Sequence, residues 1–280
     1  MLLPLGSVKH VVSLSPLPGL PRTIVADVAD IRMNNTGGPG PVLVRALRVL
    51  EAFSRKRPAM TLTELSRQSA LPLSTTHRLV AELVEWGALE RGQDSRYRVG
   101  LRLWEVGSLA PRGQGLRERA LPFLEDLSQI TKENVQLAVR EGLELVFVER
   151  IAGSDAVPVF TRVGARFALT TTGVGLVLLA HAPSEVQDEV LAGPLERVTE
   201  MTVTEPHSVR RMLADVRTRG FSVSDRQLTM DTLSVAAPVH DGHGRVIAAV
   251  SLVVRHGSTS ARSLEPLVRT SARAISRALS

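Results

Sequence analysis

Ser74, Thr75, Thr76, His77 and Arg78 stand consecutively, and Arg91, Arg96 and Arg98 follow downstream around Tyr97. Short hydroxyls, an imidazole and a planar guanidinium at one helix end could hydrogen-bond to base edges in a major groove. Arginines on a nearby hairpin could hold phosphates or enter a narrow minor groove. Each group also has a plainer reading, the hydroxyls as a helix cap and the arginines as a solvated strand edge. A second constellation, Thr170-Thr171-Thr172-Gly173-Val174-Gly175, sets hydroxyls and glycine backbone at a helix start. Unpaired N–H groups and the helix dipole favour a carboxylate or phosphate there, and a plain helix cap is the alternative.

The first constellation needs elements to hold it. Val42, Leu43, Ala46, Leu47, Leu50 and Phe53 recur at helical spacing. Thr61-Leu62-Thr63-Glu64 has the form of a capping box and opens a short second helix. Ser69-Ala70-Leu71-Pro72 breaks it, and a third helix is predicted over 73–86, with Leu79, Val80, Leu83 and Val84 buried and Gly87 as the stop. Leu89–Arg91 and Arg96–Val99, around the turn residues Gly92 to Ser95, read as a two-stranded hairpin. Three short helices and a hairpin make a winged helix-turn-helix over 41–100. Thr63, Ser74, Thr75, Thr76, His77, Arg78, Arg91, Arg96, Tyr97 and Arg98 are its candidate DNA contacts. Charge agrees: residues 41–112 hold twelve Lys/Arg against seven Asp/Glu, whereas residues 113–280 hold nineteen of each. A basic module joined to a neutral domain fits a large anionic partner, although five excess charges could equally be a solvated surface.

Residues 101–115 are expected to link the two parts through a helix, and 116–280 to form a separate domain. Its predicted elements are a helix to Thr131, strands over 134–140 and 143–151, helices over 173–181 and 206–219 (the latter capped by Thr204), a strand near Phe221, strands over 233–240 and 245–254, and a helix over 261–279. Such a pattern is an α+β domain, an antiparallel sheet with helices grouped on it. The first 40 residues, broken by prolines and an Asn/Gly-rich run, read as a disordered tail, and Met33 is a candidate true start of translation.

The composition excludes several classes. With 44% apolar and 22% charged residues the chain is an ordinary globular sequence, and no apolar run reaches the length of a membrane span. Cysteine is absent, so disulfides, thiolate metal sites and cysteine nucleophiles are excluded. There is no P-loop, no complete dinucleotide fingerprint and no nucleophile elbow. No metal site is expected; His240 and His243 straddle a turn and are expected to face solvent.

Val44-Arg45-Ala46-Leu47-Arg48-Val49-Leu50, Leu71-Pro72-Leu73-Ser74-Thr75-Thr76-His77-Arg78-Leu79 and Tyr97-Arg98-Val99-Gly100 resemble the IclR family of bacterial transcriptional regulators. The resemblance spans about residues 42–279. It implies a GAF-like effector-binding domain, with the segment from Val163-Gly164 through Gly173-Val174-Gly175 to Ala180 lining a pocket for a small organic acid. Gly220 to Gln227, Ser234 to Val239 and Ala248 to Leu252 also follow the family. By this likeness Thr172, Gly173 and Val174 form the cradle. Ser234 takes a position usually held by cysteine, Ser251 is a serine near the ligand, and Ser224 or Asp225 stands where the family presents an acid. The sequence departs from the family at Ala168, Leu176, Gln227 and Asp231, which commonly hold Pro, Lys, Glu and Gly.

These readings imply a cytoplasmic regulator, at the nucleoid when bound to DNA, without cofactor or membrane contact. Its expected partners are double-stranded operator DNA, a small carboxylate effector and its own copies in a homodimer or homotetramer. Two alternatives stay open: an oligomerisation domain without ligand, and an enzyme acting on a small acid.

Overall fold

The computed structural model describes residues 40–54 and 56–280. The expectations about the tail and Met33 lie outside these residues.

The N-terminal unit opens with α1 (Val42–Glu51), followed by a two-residue strand β1 (Ala59–Met60), α2 (Leu62–Ser69) and α3 (Leu73–Trp86). The capping box forms: the Thr61 N–H donates to Glu64 Oε2 at 2.8 Å and the Glu64 N–H donates to Thr61 Oγ1 at 3.3 Å. α2 ends on Ala70, held in the left-handed region at φ 53°, a conformation that costs an alanine about 1–2 kcal/mol. Leu71 and Pro72 then restart the chain as α3, which ends at Gly87 with φ 87°, where a side chain would be strained. Strands β2 (Leu89–Arg91) and β3 (Tyr97–Val99) form the predicted wing. β1, which sequence reading missed, pairs with β3 to give the order β1-β3-β2. Two residues carry too little alternation to announce a strand, so only the pairing defines it. Val49, Leu65, Leu79, Val80 and Leu89 close the core of this unit, and Leu83 and Val84 pack against it half-buried.

α4 (Leu101–Gly107) follows, and α5 (Pro111–Thr131) begins before the predicted boundary at 116. The C-terminal unit is a six-stranded antiparallel sheet with the order β6-β5-β4-β9-β8-β7. Its strands are β4 (Asn134–Glu141), β5 (Glu144–Ile151), β6 (Arg166–Ala168), β7 (Ser222–Asp225), β8 (Thr232–His240) and β9 (Val246–Arg255). α5 and α9 (Ala261–Leu279) cover one face through Leu124, Leu137, Val250 and Ile275. α6 (Gly173–Ala180) and α8 (Pro206–Arg219) cover the other through Phe147, Val177, Leu179 and Leu213. Covered on both faces, β4 is buried along most of its length, which explains its nearly continuous apolar reading.

β6 and α7 (Ser184–Ala192) were not foreseen. Thr204 does not cap α8: the cap is Glu205, whose carboxylate accepts from the His207 N–H at 3.3 Å, and Thr204 instead accepts from Arg197 at 3.0 Å. Among the described residues, no helix is long and apolar enough to cross a membrane.

Candidate nucleic-acid interface and effector pocket

α3 presents its first turn unevenly. Ser74, His77 and Arg78 are exposed and Thr75 is half-buried, whereas Thr76 is fully buried and donates to the Pro72 carbonyl at 3.1 Å. Thr76 is therefore a core residue and is removed from the candidate contacts, because helical spacing turns it inward with Leu79 and Val80. Thr63 is exposed on the first turn of α2. Arg78 makes no hydrogen bond or ion pair among the described residues, so its whole donor fork is open. Arg67, in the last turn of α2, is a further exposed cation that sequence reading passed over; its position beside the turn into α3 was the available signal.

The wing arginines divide by partner. Arg91 is exposed, with its guanidinium 5.8 Å from the Tyr97 ring centroid and 3.5 Å from Ser95 Oγ, and it has no carboxylate partner among the described residues. Arg98 grips Asp94 through two bonds of 3.2 and 2.8 Å. That grip first, then the Arg96 N–H, holds the Asp94 carboxyl below its ordinary range. Arg96 is part-buried and ties the wing to α2, donating to Ala59 O at 3.2 Å and Glu64 Oε2 at 3.1 Å. Its contacts make it a strut of the fold rather than a free cation. The Glu64 carboxyl lies below its ordinary range, chiefly because it accepts from the Thr61 backbone and hydroxyl, and secondarily because Arg96 and Arg67 are near.

In the C-terminal unit, Thr172, Gly173, Val174, Ser224 and Ser234 line one cavity of about 30 Å³, room for little more than a water. Thr172 caps α6, its hydroxyl oxygen accepting from the Gly175 N–H at 3.0 Å while its carbonyl accepts from Leu176 N–H. The Gly173 and Val174 N–H groups come earlier in the first turn and have no partner within the helix. They border the cavity at the positive end of the α6 dipole. Ser224 and Ser234 face each other across β7 and β8, and their hydroxyls have no hydrogen-bond partner among the described residues. Close packing demands glycine here: a Cβ on Gly173 would lie 2.8 Å from Ser234 Oγ, and one on Gly175 would run into the Leu169 carbonyl.

Two expected pocket residues lie elsewhere. Asp225, one position beyond Ser224, faces the opposite way by strand alternation and pairs with Arg226 at 3.3 Å and His256 at 2.8 Å. Ser251 is buried on β9 opposite Gln136 and Ala236, outside the cavity wall, with its hydroxyl unpartnered. Sequence reading missed Gln136, which lines the cavity and donates to Thr161, and Phe160, which lines it from the segment between β5 and β6. An amide among the apolar residues of a doubly covered strand was the available signal for Gln136. Ala168, Leu176, Gln227 and Asp231 do not line the cavity, and Leu176 is buried in the apolar layer beside it. Among the described residues no acidic or basic side chain lines the cavity, so an anion would be held by N–H groups and hydroxyls.

His243 is exposed as expected, but His240 is half-buried at the end of β8. Burial, then the nearby His181, holds its pKa below the ordinary histidine value, with Asp241 opposing. Among the described residues no cluster could hold a metal ion.

Comparison with known proteins gives two family matches, "IclR helix-turn-helix domain" over residues 42–93 and "Bacterial transcriptional regulator IclR C-terminal" over residues 110–277. The HTH-type transcriptional regulator BhcR of Paracoccus denitrificans is 32% identical over 212 residues, covering 75% of this chain and 76% of the relative. The transcriptional repressor IclR of Escherichia coli is 27% identical over 214 residues, covering 75% and 78%. Among solved structures, an IclR homolog from Microbacterium hydrocarbonoxydans complexed with 4-hydroxybenzoate superposes with a TM-score of 0.80 at 40% identity, covering 85% of this chain and 99% of that one.

Proposed function

Because the chain belongs to the IclR family of bacterial transcriptional regulators, whose members are regulators and not enzymes, we propose that it is a sequence-specific DNA-binding regulator controlled by a small carboxylate. Residues 41–100 act as the DNA-binding unit, 101–115 as the link and 116–280 as the effector-binding and oligomerisation domain. The regulator works in the cytoplasm and sits at the nucleoid when its operator is occupied. Ser74, Thr75, His77 and Arg78 enter the major groove, with Thr63, Arg67 and Arg91 as flanking contacts; Tyr97 and Arg98 contact the DNA from the wing, Arg98 by exchanging Asp94 for a phosphate.

The observation that carries the sensing role is the convergence of two open N–H groups, on Gly173 and Val174, with two unpartnered hydroxyls, on Ser224 and Ser234, in one cavity. That set matches a carboxylate, whose oxygens accept from helix-start N–H groups. The effector is an aromatic acid of the 4-hydroxybenzoate type, by analogy with the ligand of the Microbacterium homolog. A cavity of about 30 Å³ must widen to admit it, and Phe160, 41% exposed on the covering segment, is the side chain best placed to swing out.

The assembled form is a homodimer, or a homotetramer built from dimers. Leu43 on α1 and Leu101, Trp104 and Leu109 in and after α4 are exposed by 63–76%, an apolar surface that a second copy would cover. Paired heads then read two half-sites, and the effector shifts the equilibrium between placements of the heads by its unequal affinity for them.

The test is a fluorescence-anisotropy titration against DNA upstream of the protein's own gene, with unrelated DNA as control, with and without 4-hydroxybenzoate. Selective upstream binding that shifts with the acid supports the reading; equal, salt-labile binding to both DNAs sinks it. The small cavity favours a second reading, an oligomerisation domain without ligand. Selective DNA binding indifferent to every small acid, with no rise in melting temperature, would select that reading.

A further inference from the structure

A cleft of about 1230 Å³ lies at the far end of α6 from the Gly173 cavity and shares no lining residue with it. Arg119, Arg140, Arg217, Arg245, His181 and His240 line it, and among the described residues no aspartate or glutamate does. Arg245 is neutralised by Asp241 at 2.7 Å. The other three guanidinium groups rest on neutral carbonyls: Arg119 on Ala278 at 3.1 Å, Arg140 on Gly142 at 2.8 Å and Arg217 on Ala180 at 3.1 Å. A carbonyl orients a guanidinium without cancelling its charge, and it occupies one of about five N–H donors. Three oriented cations from α5, β4 and α8 therefore border one concavity without a carboxylate partner among the described residues. The carbonyl end of α6 also borders the cleft, but Arg217 takes up the Ala180 carbonyl, so the full guanidinium charges outweigh that partial negative charge and concentrate counter-ions.

The start of α7 adds donors to the same wall. Pro183 and Ser184 border the cleft, and no side chain caps the helix, so the N–H groups of its first turn remain open. Glu185, in that first turn, is exposed and is not a lining residue.

We propose that this cleft is a second ligand site, for a compact molecule carrying two or more phosphoryl or carboxylate groups. α6 joins it to the Gly173 cavity, about 12 Å away at 1.5 Å per residue, and Gly115 and Leu116 of α5 join it to the segment leading from the DNA-binding unit. The inference is independent of the identity of the acid in the Gly173 cavity.

The experiment is isothermal titration of the full-length protein with inorganic pyrophosphate and with citrate, at constant ionic strength. Saturable binding of one probe is expected, and the stronger of the two distinguishes a phosphoryl from a carboxylate ligand. The double substitution Arg140→Gln with Arg217→Gln should weaken it at least about tenfold. Ser184→Glu should do the same without endangering the fold, because it places a carboxylate in the cleft where the α7 dipole favours one. Arg67→Gln with Arg78→Gln should leave pyrophosphate and citrate binding unchanged. Absence of saturable binding for both probes, indifference to the cleft substitutions, or equal loss from the Arg67/Arg78 pair would overturn the proposal.

Discussion

The proposed DNA-binding face and the proposed acid site at the Gly173 cavity offer hydrogen bonds in opposite ways. The first presents exposed side chains, Ser74, His77 and Arg78, from one turn of one helix. The second presents backbone N–H groups and buried hydroxyls gathered from α6, β7 and β8, with an amide from β4. A long polyanion outside the protein is met by accessible full charges. A small acid inside it needs partial charges at fixed positions, because an unpaired buried cation would cost more than it returns.

The difference can be broken first with salt. Raising it from about 50 to 200 mM should weaken DNA binding by roughly a thousandfold if six or more phosphates are contacted. The affinity for 4-hydroxybenzoate, measured by titration calorimetry, should change by less than about twofold, since the cavity lining holds no ionised side chain. Equal salt slopes would show that the acid binds on the basic face instead.

Substitutions sharpen the contrast. Gly175→Ala forces a methyl against the Leu169 carbonyl and within 2.9 Å of Leu145; overpacking of backbone should cost about 3 kcal/mol of stability, read by chemical denaturation. Arg78→Ala touches no packing and should leave that midpoint unchanged while costing about 2 kcal/mol in operator binding. Equal loss on random DNA would identify Arg78 as a phosphate contact. Ser234→Ala should weaken the acid about tenfold, roughly 1.4 kcal/mol, with DNA binding of the ligand-free protein intact; an unchanged affinity would remove Ser234 from the site. Ala70→Gly relieves the left-handed strain before α3 and should stabilise the N-terminal unit by up to about 1 kcal/mol, seen as a raised denaturation midpoint.

Legibility followed locality. The bounds of α3 were readable because Pro72 before it and Gly87 after it are local signals, and α9 was readable from its amphipathic repeat. The capping box was readable for the same reason. Thr76 reads as a DNA contact only by adjacency to Thr75 and His77, whereas the 100° step of a helix separates neighbours onto different faces and turns Thr76 into the core. Arg96 and Arg98 looked equivalent in sequence, yet one braces α2 and the other grips Asp94. Their partners could not be inferred before the wing closed. The family resemblance leaves Ser224 and Asp225 as alternatives, and strand alternation separates them: Ser224 faces the cavity and Asp225 turns away from it.

By itself the sequence determined the two-part organisation, the helix-turn-helix, the antiparallel α+β domain and the concentration of positive charge in the first part. These follow from capping, periodicity and composition, which act over a few residues. Only the tertiary structure decided which groups are free. β1 exists because β3 is there to pair with it, and His240 is half-buried by the packing around the end of β8. The Gly173 cavity joins Gln136 to Ser234 across nearly a hundred intervening positions. Hydrogen bonding and burial are satisfied between segments distant in the chain, so whether a polar group is occupied or open is settled when those segments meet.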